Sequence, residues 1–423
     1  MGTAEALTSP SASSGRPLRV ALCGYRSNPF SGGQGVYIKY LSRALARQGH
    51  EVDVISGEPY PHLDDDVRLV PLPGLNLYAA DNHITALRPR HLTSATDLFE
   101  WASMATGGFP EPYTFGRRLS AFFAANPDRY DVIHDNQCLA TGLLDIQARG
   151  LPLTSTIHHP ITWDRDIALA HAKTTVERLS IRRWHYFLNM QMRVAHQLRH
   201  IVTVSESARR DIADAFAIPP SRITVVPNGI DTEEFRPLAD VQRNPCQIIT
   251  TASADQPLKG TQHLIPAVAE LVRTFPDLKL VFIGRPKPGG KTEALIERAN
   301  LEQHIEVHTG ISNEALVELY ARSTVAVVPS EYEGFGLPAG EAMACGVPVV
   351  STDGGALPEV VGDAGVVVPA KSPEALAAAI GDLLQNEPRR HALAAAGRAR
   401  VCEQFSWERA AERMVSHYEA VMA

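Results

Sequence analysis

Two successive runs of strand–helix–strand grammar govern what this chain can become. The first begins at Leu18-Arg19-Val20-Ala21-Leu22, a short apolar run that suits a buried strand. A Gly-rich turn follows, Ser31-Gly32-Gly33-Gln34-Gly35, and then Val36, Tyr37, Tyr40, Leu41, Ala44 and Leu45 recur at helical spacings of three and four. Gly49 closes that helix, and Val52-Asp53-Val54-Ile55 opens the next strand. Strand, helix and strand within about 35 residues make a βαβ unit, and such units build parallel sheets.

The pattern continues through Val132-Ile133-His134, Leu153 to Ile157 and Ile201 to Val204. Between about residues 75 and 120 the alternation breaks down into an aromatic stretch holding Tyr78, Phe99, Trp101, Phe109, Tyr113 and Phe115. A second series then starts at Gln247 to Thr251. It runs through Leu280 to Ile283, Ile305 to Val307, Val325 to Val328, Val347 to Val350 and Gly365 to Val368, with helical segments fitting between. The polar stretch Pro227 to Asn244 is the natural junction. The reading is α/β, with two Rossmann-like parallel-sheet domains.

Composition narrows the class. The 423 residues exceed one ordinary core, and 44% hydrophobic with 21% charged residues describes a globular chain. No run of 18 or more apolar residues appears, so a spanning helix is not expected. Met1 to Pro17, rich in Ser, Ala, Thr and Pro, reads as a loose, disordered tail rather than a signal peptide. Five dispersed cysteines with no C-x-x-C pair argue against a disulfide framework or zinc site and for a reducing cytoplasm. A net charge of −7 gives no general reason to bind nucleic acid.

The string Ser330-Glu331-Tyr332-Glu333-Gly334-Phe335-Gly336-Leu337-Pro338-Ala339-Gly340-Glu341 carries the most chemistry. It follows an expected strand and leads into a helix, with Pro338 suited to the first helical position and Gly346 to the left-handed residue past its end. Free backbone amides at a helix N-terminus favour anionic oxygen. Glycines at 334 and 336 let a ligand approach the backbone. Glu333 in the loop and Glu341 about one turn into the helix can each accept two hydrogen bonds, as the vicinal hydroxyls of a sugar and a ribose require. The bland alternative is a tight turn with both carboxylates solvated.

This string resembles the E-x7-E signature of retaining GT-B glycosyltransferases of family four, the sucrose synthase and phosphatidylinositol mannosyltransferase group. Ser31-Gly32-Gly33-Gln34, Thr156-Ile157-His158, Val202 to Glu206, Val226-Pro227-Asn228-Gly229-Ile230-Asp231, Lys259-Gly260 and Gly354-Gly355-Ala356-Leu357-Pro358-Glu359 fall in that family's order. The resemblance covers residues 18 to about 420. It implies a GT-B plan facing a central cleft. Residues 18–235 would form the acceptor-side domain, 236–402 the nucleotide-sugar domain, and 403–423 a helix crossing back to the first.

By that resemblance Glu333 holds hydroxyls of the transferred sugar and Glu341 the ribose. Phe335, Gly336 and Leu337 offer backbone amides to the donor, and Gly33 approaches the diphosphate. Lys259 offsets charge on the leaving diphosphate, and His158, preferred over His159, sits beside the donor sugar. The chain departs from the pattern at Ser253, where the family commonly has an arginine six residues before the lysine. Either Arg285 compensates, or Lys259 and backbone amides hold the diphosphate alone, or activity is low or lost.

Asp64-Asp65-Asp66 and Asp164-Arg165-Asp166 match the D-x-D metal pattern only superficially, and the resemblance implies no catalytic metal and no other cofactor. Asp164 and Trp101 are candidate acceptor-side residues, the acceptor being a sugar, polyol or lipid-linked hydroxyl. A helix from about Val176 to His200 mixes five arginines with Trp184, Tyr186, Phe187, Met190 and Met192. Its plain reading is a domain helix with an apolar stripe in the core, and its alternative a peripheral contact with the inner face of the membrane. The expected activity is transfer of a hexosyl group from a nucleoside-diphosphate sugar to a hydroxyl with α-configuration retained. A glycan phosphorylase, which needs a pyridoxal-bearing lysine, and a non-catalytic sugar-nucleotide binder are the alternatives. None of the seven lysines stands in a recognisable pyridoxal context. Donor base, sugar, acceptor and oligomeric state leave no trace in the residues.

Overall fold

The computed structural model describes residues 16–28, 33–80, 82, 88–252 and 255–423, except the side chains at 78, 90, 164 and 171. The chain divides into two compact units. One comprises the chain up to Thr203 with Arg209–Val226 and Ala410–Ala423, and the other Val204–Ala208 with Pro227–Arg409.

The first unit holds a sheet of seven parallel strands in the order β3-β2-β1-β4-β5-β6-β7. These are β1 (Arg19–Gly24), β2 (Glu51–Ser56), β3 (Arg68–Pro71), β4 (Val132–Asn136), β5 (Leu153–Thr156), β6 (Ile201–Thr203) and β7 (Ile223–Val225). In register, Val20 of β1 lies between Val52 of β2 and Val132 of β4. Central strands are buried on both faces, as the apolar run Val20 to Cys23 of β1 reflects, while β4 and β5 also bury polar residues such as His134, Asp135, Thr154 and Ser155. The edge strands β3 and β7, half exposed and partly polar, lacked that signature.

The helices of this unit include α1 (Gly33–Arg47), α2 (Ala95–Ala105), α3 (Glu111–Ala125), α4 (Thr141–Ala148), α5 (Thr162–His171), α6 (Thr175–Trp184), α7 (Leu188–Gln197) and most of α8 (Glu206–Phe216). The aromatic stretch without alternation is therefore largely helical, supplying α2 and the start of α3. The single helix expected over 176–200 is two helices, broken by a 3-10 turn at His185–Phe187. Only α7 has a core face, through Leu188, Gln191, Val194 and Ala195. No residue of α6 is buried, and Val176 and Leu179 are exposed. The apolar stripe expected in the core is thus absent from the first half of that segment.

The second unit holds six parallel strands in the order β10-β9-β8-β11-β12-β13. They are β8 (Gln247–Thr251), β9 (Lys279–Ile283), β10 (Ile305–His308), β11 (Val325–Val328), β12 (Val349–Thr352) and β13 (Val366–Val368). Around them lie α9 (Thr261–Thr274), α10 (Lys291–Arg298), α11 (Asn313–Arg322), α12 (Leu337–Ala344), α13 (Leu357–Val361), α14 (Pro373–Gln385) and α15 (Glu387–Gln404). The last helix, α16 (Trp407–Met422), has Ala410 onward in the first unit. Ile248, Leu264, Leu280, Phe282, Val325, Val327, Leu376 and Ile380 form the second core, each buried side chain contributing about 1.5–3 kcal/mol. Strand order reverses between β1 and β4 in one sheet and between β8 and β11 in the other. Open parallel sheets bind ligands outside the carboxyl ends of strands at such reversals.

Among the described residues no helix is long and apolar enough to cross a membrane, and all five cysteines are free.

Candidate active site

In the second unit, the loop after β11 enters α12 through its N-cap residue Gly336, whose φ of +101° is one that glycine adopts without strain. Leu337 is the first helical residue and Pro338 the second, one place later than the sequence suggested. Gly346 takes the left-handed conformation past the helix end, with φ +66°. No described group accepts from the amides of Phe335, Gly336 or Leu337. They remain available to an anion at the helix N-terminus. The Phe335 side chain is buried and meets Phe405 edge-on at 5.8 Å, so its ring is structural.

Glycine-rich segments far away in sequence hold this loop. A Cβ at Gly355, where φ is +63°, would lie 2.3 Å from the Glu333 carbonyl, and Ala356 N donates to that carbonyl at 2.9 Å. At Gly260, φ +69°, a Cβ would lie 1.8 Å from the Pro329 carbonyl. That close approach brings Lys259 to the loop. Ser205 Oγ donates to the Gly334 carbonyl at 2.7 Å. The Glu359 carboxylate accepts from the amides of Glu206 and Ser207 at 2.8 and 2.7 Å.

Lys259 Nζ stands 2.8 Å from Glu333 Oε1, which also accepts from Ser330 Oγ at 2.8 Å. Glu341 is half-buried, and no described hydrogen bond engages its carboxyl group. Desolvation, followed by repulsion from Glu234, pushes its pKa up to about 7. Lys259 and Arg285 line one pocket of about 520 Å³ with Thr251, Gly284, Thr309 and Pro338. These residues lie at or beyond the carboxyl ends of strands, in the loops there or at the start of α12. The volume suits a nucleotide-sized ligand. Ser253 lies outside the described residues.

In the first unit, Gly33 is the first residue of α1, and a Cβ there would meet open space. Gly35 is the packed glycine of that turn, its Cβ position 2.1 Å from the Asn28 carbonyl. His158 follows β5. Its Nε2 lies 2.7 Å from Asn136 Oδ1, its amide donates to Gln137 Oε1 at 2.8 Å, and its ring meets Tyr37 edge-on at 4.7 Å. Burial, then the neighbouring His159, lowers its pKa to about 3. The imidazole is neutral at working pH. His134 bonds Tyr418 Oη and Thr156 Oγ1, each at 2.6 Å, and Tyr37 Oη meets the same Thr156 oxygen at 3.2 Å.

Asp164 is the third residue of α5, its side chain outside the described set. Trp101 is half-buried on α2. It is not among the residues lining the nearby groove of about 790 Å³, which is walled by Phe99, Phe109, Tyr113, Tyr186, Phe187 and Met190. Asp64 pairs with Arg43 at 2.5 Å. Among the described residues no group of three or more His, Cys, Asp or Glu is arranged to hold a metal ion. Sequence reasoning missed Asn136, Gln137, Ser330 and Thr156. Asn136, Gln137 and Thr156 lie at or just after the carboxyl ends of strands and Ser330 in the loop after β11, where open sheets gather ligand-side residues, and that position was the available signal.

Residues 31–234 match the model described as Glycosyltransferase Family 4, and residues 240–400 that of Glycosyl transferases group 1. The chain is 45% identical over 411 residues to an MMP alpha-(1->4)-mannosyltransferase of Mycolicibacterium hassiacum, covering 96% of this chain and 99% of that one. Among solved structures it resembles sucrose-phosphate synthase from Thermosynechococcus elongatus, with TM-score 0.70 and 24% identity over 96% of this chain and 99% of that one. It also resembles Anabaena HepE in complex with UDP and glucose, with TM-score 0.67 and 16% identity over 94% and 98%.

Proposed function

The chain belongs to the family 4, group 1 glycosyltransferases, and from that membership we propose that it moves an α-mannosyl unit from a nucleoside-diphosphate mannose to a saccharide hydroxyl. It has the GT-B fold and is a retaining hexosyltransferase that forms an α-glycosidic bond. The choice of mannose rests on the 45% identical mannosyltransferase, which matches across nearly the full length of both chains.

One observation carries the assignment of roles: the approach of Lys259 to Glu333 beside the open amides of Phe335, Gly336 and Leu337. Glu333 orients hydroxyls of the transferred sugar. Lys259, with Arg285 in the same pocket, offsets negative charge as the diphosphate leaves. Glu341, whose carboxyl oxygens meet no hydrogen-bond partner among the described residues, takes the ribose hydroxyls. The acceptor oxygen attacks the anomeric carbon on the face from which the diphosphate departs. The C–O bond to phosphate breaks as the new one forms, and the acceptor proton passes to the departing phosphate oxygen. Neutral His158, with a pKa of about 3, is too weak a base for that proton. No metal or other cofactor is needed for these steps.

Thermal shift with a panel of nucleoside-diphosphate mannoses and glucoses identifies the donor, since a ligand bound to the folded state raises Tm. NMR of the product then gives the sugar and anomeric configuration. Use of glucosyl donors with none of the mannosyl ones, or a β-linked product, overturns the proposal.

A further inference from the structure

The pocket that contains Lys259 and Arg285 draws its two cations from neighbouring loops. β8 and β9 pair in parallel as far as Thr251 and Ile283, so the segments that follow them leave the sheet side by side. Lys259 belongs to the first segment and Arg285 to the second. Among the described residues no hydrogen bond or ion pair engages the exposed Arg285 guanidinium. Its placement therefore depends on the backbone that carries it, the stretch from Gly284 to Gly290.

Asp255, in the first segment, holds that stretch from outside. Its Oδ2 accepts from the Lys287 amide at 2.8 Å and its Oδ1 from the Thr292 amide at 2.9 Å. The Asp255 amide in turn donates to Thr292 Oγ1 at 3.3 Å. Thr292 is the buried second residue of α10, so its amide has no acceptor within the helix. The helix dipole favours negative charge there, and the chain's own carboxylate supplies it from 37 positions away. The fit is close. A Cβ at Gly290, the N-cap of α10, would lie 2.8 Å from Asp255 Oδ2. Asp255 itself takes a left-handed φ of +60°, which a non-glycine residue keeps only where its surroundings fix it.

We infer that Asp255 is a positioning residue that locks the loop after β9 against the loop after β8, so that Arg285 stands with Lys259 at the donor's diphosphate. Arg285 then supplies the second cation that Ser253 cannot, and Asp255 sets its place without touching the donor. This inference rests on the reading of the pocket as the diphosphate site.

Calorimetry with GDP, ADP and UDP, each paired with its monophosphate, isolates the distal phosphate whichever base the wild type prefers. The wild type should bind the preferred diphosphate at least about tenfold more tightly than its monophosphate. Arg285→Ala should lose about 10- to 100-fold of diphosphate affinity, the worth of a hydrogen bond to a charged group, and little monophosphate affinity. Asp255→Ala should reproduce that selective loss. The double variant should be no weaker than Arg285→Ala alone, because both changes act through one guanidinium. Asp255→Asn keeps the side chain's shape and one acceptor oxygen, so it should fall between wild type and alanine. It gives the reading if the alanine variant does not fold. Diphosphate and monophosphate affinities that fall together in the Asp255 variants would mark a merely structural role and overturn the inference. So would losses that add to that of Arg285→Ala, an unchanged diphosphate preference, or tighter binding, the sign of a carboxylate that only repels the donor. A wild type with no preference for the diphosphate sinks the reading of the pocket itself, and the role of Asp255 with it.

Discussion

Lys259 and Glu333, 74 positions apart in the chain, meet as an ion pair at 2.8 Å, with the side chains 28% and 11% exposed. The cation expected at the leaving phosphate and the carboxylate expected at the sugar therefore share one corner of the second unit.

Replacing Lys259 with Met should lower kcat by about 10²- to 10³-fold, the usual loss when one preorganised charge is removed from a developing anion. Glu333→Gln should cost a similar factor. Because the two residues touch, the double variant should fall well short of the product of the single losses. Steady-state kinetics of the four proteins tests this, and full additivity would argue that the two act separately.

Donor affinity should depend on pH through Glu341. The carboxyl group titrates near 7 in the free protein, so it is mostly protonated at pH 6 and mostly ionised at pH 8. The ionised form accepts hydrogen bonds from two ribose hydroxyls, whereas the protonated form loses acceptor capacity. Calorimetric Kd should therefore rise as pH falls below 7, by up to about tenfold per unit, and level off above it. Glu341→Gln should bind donor more weakly and without that inflection.

Asp135 predicts a pH effect on stability. Burial raises its pKa to about 6, although Ser155 Oγ and the Leu139 and Cys138 amides donate to it. Among the described residues its Oδ1 is buried without a hydrogen-bond partner. The unfolded carboxyl ionises near 3.9. Between about pH 4 and 6 the folded state binds more protons than the unfolded one, so this group's contribution falls as pH rises through that window. Urea titrations should show that slope in the wild type minus an Asp135→Asn reference. A difference that rises with pH would contradict the assignment.

Gly355→Ala should disturb the donor loop from outside the site. The substitution strains a residue at φ +63° and drives a Cβ to 2.3 Å from the Glu333 carbonyl. A loss of about 1–3 kcal/mol in stability is expected, with donor affinity falling as Glu333 shifts. Gly49→Ala, also at positive φ but facing open space, is the control. It should lose stability by a smaller amount and leave donor affinity unchanged. Equal affinity losses in the two variants would refute a specific link to the loop.

The sequence by itself determined the two parallel sheets, because strand–helix–strand alternation with apolar strands such as Val325 to Val328 builds them. It also placed Glu333, Gly336 and Glu341 at a strand-to-helix turn, since local backbone geometry there depends on adjacent residues. The edge strand Arg68–Pro71 escaped, as did the break at His185–Phe187 and the exposure of Thr175–Trp184 within the helix expected there, because none of these is required to bury a face. Only tertiary structure decided that Lys259 reaches Glu333, that Gly355 and Gly260 press against the loop, and that Asn136 hands its amide oxygen to His158. Those relations join residues separated by tens of positions. Chain topology and close packing create them, and no local periodicity records them.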